Sequence, residues 1–106
     1  MNNMDIELLT VPDCRNAEAA VQLIATAVAD TRVKATVTHT VIASEDEARQ
    51  RGFTGSPTIL LNGSDPFAGQ RETVALSCRL YWTPDGPRGV PGLRDLRRAL
   101  KRVAAG

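Results

Sequence analysis

One cysteine near the start of the sequence is the residue best placed to do chemistry. Cys14 stands in the stretch "VPDCRNAEAA", between a predicted strand and a predicted helix. A cysteine thiolate attacks disulfides and binds soft metals, and both the amides of a helix start and the neighbouring Arg15 favour the thiolate. We therefore interpret Cys14 as a candidate nucleophile. The alternative is a structural or relic thiol that fills space as a small apolar residue.

The remaining side chains restrict what else the chain can do. It contains two cysteines and one histidine. Cys14 and Cys78 lack CxxC spacing and a neighbouring histidine, so we expect free thiols and not a disulfide framework. His39 lies in an alternating strand and is interpreted as structural, which leaves no imidazole for a Cys/His catalytic pair. No motif predicts a metal site or another cofactor.

The composition predicts one globular domain over residues 1–106. Hydrophobic residues make up 42% and charged residues 24%, a balance typical of a folded soluble chain. The net charge of +1 provides no overall field that would attract nucleic acid or an anionic membrane. No apolar run could span a bilayer and the N-terminus lacks the pattern of a signal peptide, so we expect a cytoplasmic protein.

The first half of the chain predicts a strand, a helix and a second strand. A dense apolar run predicts a strand over Asp5–Val11. Asp13 is a suitable N-cap for an amphipathic helix that runs from about Cys14 to about Ala29. Alternating β-branched residues then predict a strand over Val33–Ile42.

A short second helix follows. Ser44 and Glu47 form a capping box, with acidic residues in the first turn and arginines in the last. Gly52 is a suitable residue to end this helix, and Phe53 is its hydrophobic companion.

Two strands and a helix complete the chain. Strands are predicted over Pro57–Asn62 and Val74–Trp82, the second ending at the turn "TPDG". An apolar stripe predicts a C-terminal amphipathic helix and comprises Leu93, Leu96, Leu100 and Val103. The order is βαβαββα, which predicts an α/β fold with a four-stranded mixed sheet and helices on both faces.

This order, with a cysteine at the first helix and "GFTGSPTILLNG" before and within the third strand, resembles the thioredoxin superfamily from Asp5 to about Ala104. The resemblance implies that Cys14 is the nucleophile and that Pro57 is cis and faces it. It also implies that the backbone of Ser56 is presented to an extended substrate, with Thr58 beside it.

Five further residues could contribute to the same site. Arg15 and Asn16 could bind a carboxylate or an oxyanion near the sulfur, or could simply be solvated. Three aromatic residues could wall a groove near the proline or belong to the core, namely Phe67, Tyr81 and Trp82.

The active-site quartet departs from the CxxC pattern of the superfamily. It reads Cys14-Arg15-Asn16-Ala17, so alanine occupies the resolving position. Dithiol reduction, in which a second thiol of the motif releases the mixed disulfide, is therefore excluded at this quartet. The resemblance places the end of the fourth strand, around Trp82, near the active site. Cys78 lies four residues before Trp82, about 13 Å away along the strand, which is too far for an intramolecular disulfide with Cys14. The quartet is also not the CGFS of iron-sulfur glutaredoxins.

Three functions remain open at this point. The first is thiol-disulfide exchange through a monothiol site, with a protein or a low-molecular-weight thiol as the partner. The second is a non-catalytic binding module that uses the edge at Pro57. The third is thiol-based handling of arsenate or organomercury: "PDCRNA" is similar to the single-cysteine loop of arsenate-reductase-like proteins, although Gly55 and Ser56 stand where that branch has an arginine. A cysteine in a late strand, here Cys78, is a weak similarity to organomercurial lyases. The oligomeric state is not predicted.

Overall fold

The computed structural model of the protein describes residues 3–68 and 79–106. These residues form a mixed α/β structure. In chain order its elements are β1 (Met4–Thr10), α1 (Ala17–Thr31), β2 (Ala35–Val41), α2 (Glu45–Arg51), β3 (Thr58–Leu61), β4 (Tyr81–Thr83), β5 (Gly86–Arg88) and α3 (Leu93–Ala105). No helix within the described ranges is long and apolar enough to cross a membrane.

β1 is the central strand of a three-stranded mixed sheet with the order β2-β1-β3. It runs parallel to β2 and antiparallel to β3, so that Leu8 lies beside His39 on one side and Ile59 on the other. One face of β1 is buried along its whole length, whereas the other is buried only at Leu9, after the exposed Asp5 and the partly buried Glu7.

Helices cover both faces of this sheet. Ile6 and Leu8 pack with α1 and α3 in the larger apolar core, which includes Ile24 and Leu100. Leu9 points to the opposite face and packs with residues of and around α2 in a smaller core. Successive side chains of a strand alternate between faces, so β1 takes part in both cores.

The first helix begins later than the sequence predicts. α1 starts at Ala17, and its N-cap is Asn16, which makes no side-chain capping bond. Asp13 was wrongly predicted as the N-cap: it has a φ of 57°, in the left-handed region that aspartate tolerates. The chain therefore turns twice before the helix, and the second turn is closed by the Ala17 amide donating to the Cys14 carbonyl at 3.2 Å.

The ends of α2 confirm the prediction. The Ser44 hydroxyl accepts a hydrogen bond from the Glu47 amide at 3.1 Å. At the other end Gly52 has a φ of 61°, and the Phe53 amide donates to the Ala48 carbonyl at 2.8 Å. Phe53 is fully buried, as expected of the hydrophobic companion of this cap.

The predicted four-stranded sheet is not found among the described residues. Residues 74–78 of the predicted fourth strand lie outside the described ranges. Of its described part, Tyr81 and Trp82 belong to β4, which pairs antiparallel with β5 in a separate two-stranded sheet. The "TPDG" turn causes this pairing: Gly86 has a φ of 95°, and the chain folds back to give these residues a local partner.

The capping geometry predicts the effect of changing Ser44. We expect Ser44→Ala to lower the free energy of unfolding by about 1 kcal/mol, because the Glu47 amide loses its acceptor. Urea unfolding followed by circular dichroism measures it. Ser44→Thr is the control, since threonine retains the acceptor oxygen; an equal loss in both variants would show that this cap does not stabilise α2.

Candidate functional site

Two loops meet at the end of the sheet where β1 finishes and β3 begins. The antiparallel register places Leu9 beside Thr58, so the residues that follow β1 lie next to those that precede β3. The Val11 amide donates a hydrogen bond to the Ser56 hydroxyl at 3.0 Å. The next peptide bond, Ser56–Pro57, is cis. The segment leading to the cysteine is thus tied to the residue before the cis proline.

Cys14 lies three residues after Val11, whose amide makes this hydrogen bond. It is partly buried and its thiol is not in a disulfide. Because Cys14 lies three residues before the first helical residue, it does not occupy the helix start where the amides of α1 would act on it most strongly. Arg15 is exposed to solvent. Cys78 lies outside the described residues, and the prediction that it is too far from the site for an intramolecular bridge falls there with it.

Asn16 separates the cysteine turn from a surface groove. Its side chain lies against the backbone of Gly89, where an added Cβ would approach the Asn16 amide nitrogen to 2.4 Å. The groove has a volume of about 420 Å³ and lies between Asn16, the hairpin of β4 and β5 and the start of α3. Arg88 and Arg94 line it together with Asp85. Of the two polar residues predicted beside the sulfur, Asn16 lines this groove and Arg15 does not.

The residues around the cis proline are buried, and their polar groups have partners inside the protein. The Ser56 carbonyl accepts a hydrogen bond from the Arg79 amide at 2.9 Å. The Thr58 hydroxyl donates to the Gly55 carbonyl at 2.5 Å. Both side chains, and Pro57 between them, are buried. Substrate positioning by this loop stays a prediction, and a substrate strand would meet a Ser56 carbonyl that already accepts one hydrogen bond.

A buried arginine, which sequence reasoning missed, holds this loop. The Arg79 side chain is fully buried, and its Nη1 lies 2.6 Å from a carboxylate oxygen of Asp65. Nη1 also donates to the hydroxyls of Thr54 and Thr58 at 3.3 and 3.2 Å, and Nη2 donates to the Phe67 carbonyl at 2.9 Å. Arg79 therefore joins the segment before β3 to the segment after it.

Tyr81 completes the cluster. The Arg79 guanidinium lies 4.5 Å from the centre of the Tyr81 ring, and Phe67 meets the ring edge-on at 5.5 Å. The Tyr81 hydroxyl donates to the Pro57 carbonyl at 2.5 Å. Burial raises the pKa of Tyr81 far above its usual range; Arg79 opposes the rise, and Asp65 adds to it. Tyr81 and Phe67 are thus core residues, whereas Trp82 is 63% exposed.

A sequence signal for this cluster exists, in the alternation of "RLYW". Arg79 and Tyr81 share one side of the extended segment and are buried, while Leu80 and Trp82 share the other and are exposed. An arginine in phase with a buried tyrosine indicates an inward-pointing guanidinium that needs an acid. Asp65 could not be named as that acid, because the pair is formed by tertiary packing between distant segments.

Neither a metal-ligand cluster nor a known relative adds to the site. Within residues 3–68 and 79–106 no three histidine, cysteine or acidic side chains are placed to hold a metal ion. His39 is exposed and shares a 2.8 Å hydrogen bond with the Thr10 hydroxyl. No family model, curated protein or solved structure matches the chain.

The buried ion pair predicts that removing the charge of Asp65 strongly lowers stability. We expect Asp65→Asn to lower the free energy of unfolding by about 3 to 5 kcal/mol, because the Arg79 charge is left inside the protein without a counter-ion. Urea unfolding measures this loss. Asp85→Asn changes an exposed aspartate of the hairpin turn and should stay within about 0.5 kcal/mol of wild type. Similar small effects of both substitutions would contradict the role assigned to Asp65.

The buried phenol predicts how stability depends on alkaline pH. Tyr81 is the only tyrosine of the chain, so the phenolate absorbance reports it alone. Below pH 10 the folded and unfolded states both hold the proton. Above about pH 10 the unfolded chain releases it while the folded protein retains it, so the free energy of unfolding falls as pH rises.

Two measurements check this expectation. Ultraviolet titration should show phenolate near pH 10 in urea but only at higher pH in the folded protein. Tyr81→Phe should remove this contribution to the pH dependence of unfolding. Ionisation at the same pH in folded and unfolded protein would contradict the burial of the hydroxyl.

Proposed function

We propose that this chain is a thioredoxin-like protein that exchanges thiols and disulfides through the single thiol of Cys14. The observation that carries the proposal is the hydrogen bond from the Val11 amide to the Ser56 hydroxyl beside the cis Ser56–Pro57 bond. It joins the segment leading to the cysteine to the proline loop, at the end of the sheet where β1 finishes and β3 begins.

The strand pairing also supports the finer fold assignment. β1 is parallel to β2, as the strand-helix-strand order predicts, and its antiparallel pairing with β3 makes the sheet mixed. A four-stranded thioredoxin-like sheet is part of the proposal. Its fourth strand falls partly on residues 74–78, outside the described ranges.

The proposed reaction has two exchange steps. The Cys14 thiolate attacks one sulfur of a substrate disulfide, a bond forms between the two sulfurs, and the other substrate sulfur leaves as a thiolate that takes up a proton. An external thiol then attacks the mixed disulfide and releases Cys14 as a thiolate. Ala17 cannot supply this second thiol, so the partner that resolves the intermediate is a protein or low-molecular-weight thiol.

The first test measures the reactivity of Cys14 alone. In a Cys78→Ser background, Cys14 is the only thiol, and its rate of alkylation by iodoacetamide at neutral pH can be followed by intact mass. The proposal requires the folded protein to react severalfold faster than the urea-unfolded chain, since a nucleophilic cysteine reacts faster than a free peptide thiol. Equal or slower alkylation in the folded protein would contradict the proposal.

The second test captures the intermediate. The Cys78→Ser protein incubated with glutathione disulfide should gain one glutathione that dithiothreitol removes, whereas the Cys14→Ser, Cys78→Ser double variant should gain none. The alternatives give different results. A binding module would retain its partners after Cys14→Ser, and a soft-metal site would protect Cys14 from alkylation at one equivalent of Hg(II) or arsenite.

A further inference from the structure

The outer edge of β2 is a second surface that the proposed thiol chemistry does not use. Among the described strands none pairs with it, and β2 ends the sheet on that side. Its seven residues, "ATVTHTV", contain no proline and no acidic or basic residue other than a histidine. Val37 and Val41 are 50% and 48% exposed on the same face of the strand. Natural edge strands are usually protected by charges, prolines or bulges, and β2 has no charge or proline.

The backbone groups that β2 offers outward follow from its pairing with β1. The Lys34 carbonyl accepts from the Met4 amide, and the Ile42 amide donates to the Thr10 carbonyl. Even-numbered residues therefore direct their amides and carbonyls toward β1. In a parallel pair the residues between them direct both groups away. The outward-facing residues are Ala35, Val37, His39 and Val41.

Charged residues flank this edge with opposite signs at its two ends. Arg32 and Lys34 are exposed just before β2. Three consecutive acidic residues are exposed just after it, namely Glu45, Asp46 and Glu47. Two copies of β2 placed antiparallel would bring the basic flank of each beside the acidic flank of the other. Parallel placement would bring like charges together.

We propose that β2 pairs antiparallel with β2 of a second copy of this chain, about a two-fold axis. The edge is self-complementary in hydrogen bonds, in apolar side chains and in flanking charge, which are the properties that an interface between identical surfaces requires. With the axis at His39, Val37 of each copy lies opposite Val41 of the other, on the face where both are exposed. The outward amides and carbonyls of odd-numbered residues then pair across the interface.

The inference is tested by measuring the association state of the full chain. Sedimentation equilibrium from about 10 µM to about 1 mM covers the range expected of a small, transient interface. We expect a reversible monomer–dimer equilibrium in wild type. Val37→Lys should raise the dissociation constant about tenfold or more, since burying an ammonium group without a partner is unfavourable. Val21→Lys is the matched control: it changes a valine of α1 that is 44% exposed, and it should leave the constant unchanged.

A double variant tests the register. Val37→Lys combined with Val41→Glu places opposite charges across the strand pair twice and should restore dimerisation relative to Val37→Lys alone. Circular dichroism verifies that each variant is folded, and Val41→Lys replaces Val37→Lys if the latter fails to fold. A monomer throughout the concentration range, or a dimer insensitive to both lysine substitutions, overturns the proposal. Because the assay does not involve Cys14, its result is independent of the thiol chemistry.

Discussion

The buried charge of Arg79 is the constraint on which the arrangement of the candidate site depends. A guanidinium inside a protein is strongly unfavourable unless an acid and hydrogen-bond acceptors surround it. Here the acceptors come from both ends of β3: Thr54 and Thr58 on one side, Asp65 and Phe67 on the other. The hydrogen bonds of its two terminal amino groups therefore connect the loop before β3 to the loop after it.

The consequence is a proline loop held by several hydrogen bonds beside the cysteine turn. Tyr81 closes the cluster from below the guanidinium and binds the Pro57 carbonyl, while the Arg79 amide binds the Ser56 carbonyl. The Ser56 hydroxyl remains to hold the end of β1 through the Val11 amide. The position of the turn that carries Cys14 is therefore linked, through Ser56, to a charge buried on the other side of the loop. A substitution in the cluster could alter thiol reactivity without touching the sulfur.

Local patterns in the sequence were sufficient where local interactions decide the structure. Both ends of α2 were predicted correctly because the capping hydrogen bonds at Ser44, Glu47 and Gly52 join groups within one helical turn of each other. The start of α1 was missed because Asp13 has two uses, as an N-cap or in a left-handed turn, and the turn prevailed. The role of Arg79 was missed because a charged residue in a strand is usually exposed, and its burial depends on an acid fourteen positions earlier in the chain. The cysteine and proline loops were identified together only through the resemblance, since no local rule links Cys14 to Pro57.

The cysteine turn and the outer edge of β2 lie at different places on the sheet. Cys14 follows the C-terminal end of β1, whereas β2 presents its whole length sideways. Because β1 and β2 are parallel, the cysteine turn lies at the C-terminal end of β2 as well. Antiparallel pairing of two β2 strands would join two three-stranded sheets into one and point the two cysteine turns in opposite directions. With the axis at His39, the C-terminal ends of the two β2 strands lie four residues, about 13 Å, apart along the strand. Each thiol would then remain open to its own partner, and the two Cys14 residues of such a dimer could not resolve each other's mixed disulfides. The dimer and the need for an external resolving thiol are therefore compatible.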